Sequence, residues 1–170
     1  MSRRQSLVEF QQGLARRLSD APEQGSVNAL LAISLGAEPW LIKLTDIAEV
    51  LRCPLIETVP WTKPWFRGAA NFRGQVYSVV DLAAFVGAEA VADPHSARLL
   101  LLNRSIARGC ALLVAQVLGM RNPDILRSVD DAGKSRPWVK SKWIDNESVT
   151  WRELDLGKLT AAPEFLDVSR

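Results

Sequence analysis

The chain has 170 residues, of which 48% are hydrophobic and 24% are charged, and its formal net charge is +2. This balance is typical of a globular domain, or of two small subdomains around a shared core, and it excludes wholesale disorder. Because Arg3-Arg4 and Arg16-Arg17 are the only adjacent basic pairs, the sequence does not favour nucleic-acid binding.

Neither a secretory signal nor a membrane-spanning segment is expected. Residues 1–20 lack the continuous apolar run of a signal peptide, and the longest apolar runs, such as 99–102, are too short to cross a bilayer. We therefore expect a cytoplasmic protein in which Cys53 and Cys110 are free, buried thiols. A disulfide between them is the alternative.

Residues 1–26 are predicted to form a helix followed by a linker. Four apolar side chains share one face of the helix: Leu7, Phe10, Leu14 and Leu18. The sequence Ala-Pro-Glu-Gln-Gly-Ser at 21–26 is typical of a linker. The helix is either a packed terminal element or a partner-binding extension.

Short strands are predicted from residue 27 onward. In the first half they lie at 30–35, 40–44, 49–52, 69–72 and 75–80. Gly74 supplies the positive φ of the turn between the last two strands, and prolines keep the segment before them out of a helix. In the second half, extended segments are predicted at 99–102, 110–114, 125–129, 140–144 and 148–154, with a polar loop at 130–137.

Each half ends in the same way. Val80-Asp81-Leu82 and Leu154-Asp155-Leu156 both precede a short helical stretch. An Asp at this place caps a helix by accepting backbone N–H bonds, which stabilises the helix by about 0.5–2 kcal/mol. The repeated order of elements predicts an all-β fold of two small barrels.

No catalytic, metal or cofactor site is predicted. The single histidine, His95, lies in a polar connection, Cys53 and Cys110 are far apart in sequence, and no phosphate-binding glycine loop is present. Asp81 and Asp155 are the remaining candidates for catalysis. They would have to converge within roughly 5–10 Å to act as a hydrolytic pair, and capping explains both more simply.

The six tryptophans could fill a core, line a ligand cleft or form a contact surface. Trp40 and Trp151 lie within predicted strands, so we expect both in the core. Trp61 and Trp65 lie in a segment with several prolines, and they are equally consistent with core packing and with an exposed patch for a partner.

Residues 65–82, Trp-Phe-Arg-Gly-Ala-Ala-Asn-Phe-Arg-Gly-Gln-Val-Tyr-Ser-Val-Val-Asp-Leu, closely resemble the signature of CheW-like domains. Ile-Ala-Glu-Val-Leu at 47–51 is similar to the upstream part of the same pattern. The resemblance covers residues 27–159 and is strong in the first module, whereas Val114-Ala115 stands where the family usually has Val-Asp. Residues 63–71 are most similar to PilI-type adaptors of the type IV pilus chemosensory system, which governs twitching motility.

The resemblance implies two five-stranded SH3-like or OB-like barrels with short helices, in a CheW-like domain at 27–160. The first barrel is expected at about 40–92 and the second at about 98–155, with exchanged terminal strands, and 161–170 form a tail. The implied function is that of a non-enzymatic adaptor without cofactors, small-molecule substrate or membrane insertion. It couples the cytoplasmic tip of a chemoreceptor, a methyl-accepting chemotaxis protein, to the regulatory domain of a CheA-type histidine kinase in receptor arrays.

The resemblance also assigns residues to these partners. Ile47 and Glu49 match kinase-contact positions, and Gly68 lies at the edge of that surface. Arg73 matches a signature arginine of the receptor-facing region, although a structural role in its turn is equally consistent with the sequence. Independently of the resemblance, the proline-containing segment makes Trp61 and Trp65 candidates for receptor contact or for a structural role.

Two alternatives to a free-standing adaptor stay open at this point. One is a small-molecule-binding or catalytic β-barrel that uses Asp81, Asp155 and a tryptophan-lined cleft. The other is a regulatory module of a larger kinase, since kinases carry the same domain.

Overall fold

The computed structural model describes residues 28–129 and 136–170. The predicted N-terminal helix and linker at 1–26 lie outside the described residues, as does most of the polar loop at 130–137. The conclusions below concern the described ranges alone.

The described residues form twelve strands. Those of the first half are β1 (Leu30–Leu35), β2 (Glu38–Lys43), β3 (Ile47–Arg52), β4 (Ile56–Glu57), β5 (Phe66–Phe72) and β6 (Gln75–Asp81). Those of the second half are β7 (Arg98–Leu102), β8 (Cys110–Val114), β9 (Gln116–Arg121), β10 (Arg127–Val129), β11 (Val139–Ile144) and β12 (Thr150–Leu154).

Three short helices follow the strands at the two Asp-Leu endings: α1 (Leu82–Val86), α2 (Leu156–Ala161) and α3 (Pro163–Leu166). Both predicted caps are confirmed, because the Asp81 side chain accepts a hydrogen bond from the Ala84 N–H and the Asp155 side chain accepts one from the Lys158 N–H. Short 3₁₀ turns lie at Leu44–Asp46 and Pro123–Ile125.

The strands are arranged in two six-stranded sheets. Sheet A has the order β10-β11-β12-β2-β1-β9, and sheet B has the order β3-β7-β8-β6-β5-β4. Most neighbours are antiparallel, but β12 pairs with β2 and β6 pairs with β8 in parallel. The all-β class with two β-subdomains and short helices is confirmed, with one strand more in each sheet than the resemblance implies.

The main core lies between the two sheets, and a second apolar cluster lies on the opposite face of sheet B. Side chains of β7 and β8 alternate between these clusters: Leu100 and Leu112 enter the main core, whereas Leu99 and Leu113 enter the second. Strands buried on both faces need continuous apolar runs, which explains the sequences of β7 and β8. The third cluster, which includes Leu41 and Trp151, lies on the opposite face of sheet A.

One strand prediction is wrong in part, and two strands, β4 and β9, were missed. Pro123–Ile125 forms a 3₁₀ turn capped by the Asn122 side chain, so the predicted extension at 125–129 is limited to β10. Proline suits the first position of a helical turn because it has no N–H to leave unpaired. β4 has only two residues, too few for a periodic signal, and in β9 the Gly119 at φ +104 weakens the local strand pattern.

Cys53 and Cys110 are buried and free, as the sequence predicts. Burial raises the pKa of the Cys110 thiol to about 12, so the thiolate is disfavoured at neutral pH. The pKa of Cys53 is also raised by burial, against a smaller opposing effect of Arg67. Both thiols therefore behave as small apolar core groups.

Candidate partner-binding surface

Glu49 on β3 and Arg73 in the β5–β6 turn form an ion pair on the surface. Arg73 Nη1 lies 3.3 Å from Glu49 Oε2, and Arg73 Nη2 lies 3.3 Å from Glu49 Oε1. The arginine side chain is 73% exposed and the glutamate side chain 36% exposed. The structure thus brings together two residues that the resemblance assigns to different partners.

The ion pair joins two parts of sheet B that are not neighbours in the sheet. β7 and β8 lie between β3 and β6 in the sheet order. The long side chains of Glu49 and Arg73 therefore connect the edge strand β3 to the tip of the β5–β6 hairpin.

Arg73 occupies a backbone conformation that non-glycine residues rarely adopt. Its φ is +51°, Gly74 has φ +78°, and the Gly74 N–H donates to the Asn71 side chain at 3.1 Å. Two consecutive positive φ values are typical of a type I′ hairpin turn, whose first position favours Asn, Asp or Gly. Positive φ was expected from the sequence at Gly74, and an arginine at the other position of the turn costs about 1–2 kcal/mol.

The exposed residues of β3 are two apolar residues and one arginine. Ala48, Val50 and Arg52 are exposed, whereas Ile47, Glu49 and Leu51 are half-buried. Ile47 packs against the main core, so a partner that reaches this edge strand would first contact Ala48 and Val50. The kinase-contact assignments of Ile47 and Glu49 stay predictions.

Gly68 is buried at an irregularity of the β5–β6 pairing and has φ +129°. A Cβ atom there would lie 2.0 Å from the Glu57 carbonyl oxygen and 3.0 Å from the Thr58 Cα. The close approach of the β4 backbone therefore requires glycine at this position. Its predicted place at the edge of the kinase surface stays a prediction.

Trp61 is the most exposed large apolar side chain of the described residues, with 85% of its surface accessible. Its φ is +61°, and it follows Pro60 in a turn where Thr62 Oγ1 donates to the Val59 carbonyl at 2.8 Å. A turn with proline followed by a residue of positive φ is typical of type II, whose third position favours glycine. The strained backbone therefore presents the indole to solvent.

Trp65 packs inside an aromatic cluster. Its ring is stacked on Phe165 at a centroid distance of 6.0 Å and meets Phe85 edge-on at 5.2 Å. This packing connects the start of β5 with α1 and α3 and favours the structural alternative for Trp65. Trp61 and Trp65, grouped in the sequence analysis, therefore differ in environment.

A shallow cavity of about 470 Å³ lies beside β3. Its apolar lining includes Ala48, Val76 and Leu102, and two arginines from the β7–β8 loop, Arg104 and Arg108, also line it. These arginines were not predicted from the sequence, because a loop position carries no periodic signal. A basic cavity with apolar walls lies on the side of β3 where Ala48 is exposed.

The carboxylates of the catalytic alternative are engaged in structure. Asp81 is fully buried, and its Oδ atoms accept from the Ala84 N–H at 3.1 Å and the Val91 N–H at 2.9 Å. Arg67 lies 3.6 Å from the same carboxylate. A tryptophan-lined cleft of about 700 Å³ does exist beside Trp40 and Trp138, but neither Asp81 nor Asp155 is among the described residues that line it.

Glu153 is a buried carboxylate that the sequence analysis missed. Its oxygens accept hydrogen bonds from Lys140 Nζ at 2.8 Å, Ser141 Oγ at 2.9 Å and Trp143 Nε1 at 2.9 Å. The sequence did carry one signal for its burial. Glu153 lies two residues after buried Trp151 on β12, and alternate residues of a strand lie on the same face. The network fastens β11 to β12.

Within 28–129 and 136–170, no three His, Cys, Asp or Glu side chains gather as a metal site would require. In the same ranges, no helix is long and apolar enough to cross a membrane.

Comparisons with known proteins agree on one family. The family model described as CheW-like domain matches residues 29–164. Protein PilI of Pseudomonas aeruginosa is 28% identical over 121 residues, which cover 69% of this chain and 67% of PilI. A probable chemotaxis protein CheW of Rhizobium etli is 25% identical over 112 residues, covering 66% and 68% of the two chains.

The fold comparison is consistent with these sequence matches. The scaffolding protein TtCheW of Thermoanaerobacter tengcongensis aligns with a TM-score of 0.67 at 18% identity, over 81% of this chain and 94% of that chain. The family match extends over most of the sequence and includes every strand named above, together with α1 and α2. The chain therefore belongs to the CheW-like domain family of chemotaxis-type scaffold adaptors.

Proposed function

We propose that the chain is a non-enzymatic cytoplasmic adaptor that couples the tip of a chemoreceptor to the regulatory domain of a CheA-type histidine kinase. The observation that carries the proposal is the exposed ion pair of Glu49 and Arg73. These residues match partner-contact positions of the family, and here they share one surface. Recruitment to membrane-associated receptor arrays follows from the receptor contact.

The geometry suits an adaptor better than an enzyme. Asp81 and Asp155 are engaged as helix caps. The ion pair of Glu49 and Arg73 is too exposed for the water-excluded environment in which catalytic charges act. An exposed charge pair beside apolar Ala48 and Val50 instead resembles the mixture of polar and apolar groups found in protein interfaces.

The pilus pathway is the finer part of the proposal. It is supported by the similarity of residues 63–71 to PilI-type adaptors and by the match to the Pseudomonas aeruginosa protein. Under this proposal the receptor and kinase are those of a twitching-motility system.

Glu49→Lys is expected to weaken binding of the cognate kinase regulatory domain by about tenfold or more, which corresponds to about 1.4 kcal/mol. The substitution removes the partner of Arg73 and places two positive charges side by side. Exposed ion pairs contribute only about 0–1 kcal/mol to stability, so the melting temperature should change by no more than a few degrees. Isothermal titration calorimetry and thermal unfolding measure the two effects.

The matched control is the charge swap Glu49→Arg with Arg73→Glu. The swap restores an ion pair within the protein, so stability should return to that of the wild type, whereas the charges presented to the kinase are reversed and binding should stay weak. Wild-type affinity in Glu49→Lys would show that Glu49 is only a solvated strand residue.

Arg73→Asn is expected to abolish co-sedimentation with receptor-containing membranes without lowering stability. Asparagine suits the positive φ of this turn better than arginine does, so the melting temperature should stay constant or rise slightly. Arg73→Ala is the comparison variant, because it also removes the guanidinium but keeps the unfavourable φ. Retained co-sedimentation in both variants would assign Arg73 a role outside receptor binding.

A further inference from the structure

Residues 167–170, here called the strap, lie along the turn that contains Trp61. The Lys63 N–H donates to the Val168 carbonyl at 2.9 Å, and the Arg170 N–H donates to the Trp61 carbonyl at 3.0 Å. Thr62 and Ser169 form an antiparallel bridge between these two bonds. The strap therefore pairs with one side of the turn through a single β-bridge.

Side-chain contacts reinforce this pairing. Lys63 Nζ lies 2.6 Å from the Asp167 carbonyl oxygen and 2.8 Å from Asp167 Oδ2. Ser169 Oγ donates to the other carboxylate oxygen at 2.6 Å. The hydrogen bonds from Lys63 and Ser169 hold the pKa of Asp167 below its ordinary value, so the carboxylate is charged at neutral pH.

The strap holds a conformation that the turn alone does not favour. Trp61 has φ +61° and its indole is exposed, so core packing does not stabilise this backbone. Within the turn, the Thr62 hydroxyl bonds to Val59 and not to Trp61. The Trp61 carbonyl is instead fixed by the strap through Arg170. Strained backbone at an exposed aromatic side chain is typical of a functional position.

We propose that the strap is a positioning element that holds Trp61 outward as an anchor for the kinase regulatory domain. The inference deepens the proposed function and rests on it. An exposed indole with a fixed backbone loses little conformational freedom on binding, and tryptophan is enriched among residues that dominate interface energies. The strap supplies this rigidity from a part of the chain far from Trp61 in sequence.

A folded domain suits Trp61 better than a receptor coiled coil does. A protruding indole needs a concave pocket, which a folded domain offers, whereas the surface of a coiled coil is convex. Trp61 also follows Thr58 by three residues, and the Thr58 Cα lies 3.0 Å from the position that a Cβ of Gly68 would occupy. The turn that carries Trp61 therefore begins beside Gly68, which is expected at the edge of the kinase surface.

The first experiment measures the free protein by ¹⁹F NMR after labelling with 5-fluorotryptophan. The Trp61 resonance is assigned with Trp61→Phe. Deletion of residues 167–170, and separately Arg170→Pro, which removes the N–H that reaches Trp61, should shift this resonance and leave those of Trp40 and Trp151 in place. Lys158→Ala, which removes an exposed ion pair with Asp155 on α2, is the matched control and should change none of them. An unshifted Trp61 resonance in both strap variants overturns the inference.

The second experiment measures binding to the cognate kinase regulatory domain by calorimetry. Trp61→Ala should weaken binding by about tenfold or more, as loss of a dominant interface residue does. Deletion of the strap should weaken it by at least about fivefold in the wild-type background but have no further effect in the Trp61→Ala background, because a positioning element acts only through the residue it positions. Equal losses in both backgrounds contradict the inference.

The two experiments separate the two proposals. If the wild-type protein does not bind the kinase domain, the proposed function fails, whereas the NMR result still tests whether the strap holds Trp61. Co-sedimentation of the strap variant with receptor-containing membranes should equal that of the wild type. Loss of receptor binding with unchanged kinase binding would overturn the assignment of Trp61 to the kinase.

Discussion

Gly68→Ala is expected to destabilise the domain by about 4 kcal/mol or more, a value that single substitutions seldom reach. The added Cβ would lie 2.0 Å from the Glu57 carbonyl oxygen, and the φ of +129° is unfavourable for every other residue type. Because the obstacle is backbone, relief requires that β4 separate from β5. At about 2–4 °C per kcal/mol, the melting temperature should fall by roughly 10 °C, which thermal unfolding by circular dichroism measures.

Gly74→Ala provides the control for this prediction. Gly74 also has positive φ, at +78°, but among the described residues, apart from Gly74 and its two chain neighbours, no atom lies within 4 Å of the position that its Cβ would occupy. The Gly74→Ala variant should therefore be destabilised only by the unfavourable φ, which costs about 1–2 kcal/mol of the free energy of unfolding. Equal melting temperatures for the two variants would contradict the proposed collision at Gly68. If Gly68→Ala also loses kinase binding, the cause is the disturbed packing of β4 against β5. Such a loss therefore does not test whether Gly68 itself contacts the kinase.

Glu153→Gln is expected to destabilise the protein by about 2 kcal/mol at pH 7, because charged hydrogen bonds contribute more than neutral ones. The glutamine amide would also direct an N–H group toward Lys140, Ser141 or Trp143, which already donate to this site. Glu38→Gln is the matched control, since Glu38 pairs with Arg152 at the surface and should contribute less than about 1 kcal/mol.

The effect of Glu153 depends on pH in a defined direction. Burial alone raises the pKa of Glu153, but hydrogen bonds from Lys140, Trp143 and Ser141 outweigh it, and the net pKa lies below the ordinary value of 4.5. The carboxylate therefore contributes its full stability above pH 4.5 and loses it as the pH falls through the lowered value. The difference between wild type and Glu153→Gln, measured by urea unfolding, should shrink in that acidic range. If the difference in free energy of unfolding does not change with pH, the charge of Glu153 is not the cause of the destabilisation.

Much of the local structure was predictable from the sequence. Alternation, turn residues and apolar runs predicted most strands, and Asp81 and Asp155 indicated the two capped helices. These signals depend only on neighbours in the chain. The parallel pairings of β12 with β2 and of β6 with β8 were not predictable, because periodicity shows which face of a strand is buried but not which strand lies beside it.

The candidate surface was less predictable than the fold. The resemblance singled out Glu49 and Arg73, and the proline-rich aromatic segment singled out Trp61, but their arrangement depends on the tertiary fold of sheet B and on where the chain returns after α3. The contacts of Glu49 with Arg73, and of Trp61 with Arg170, join residues that are distant in sequence. Patterns of neighbouring residues in the sequence do not predict contacts of this kind.

The place of the first hairpin in sheet A has a consequence for folding. β1 and β2 lie between β9 and β12, so during synthesis this apolar hairpin emerges long before the strands that flank it. Pairing across such sequence separation slows folding, since the intervening chain must be ordered first. We therefore expect that a cut in the loop near His95 yields two fragments, neither of which is stable alone, that recover the native structure when mixed.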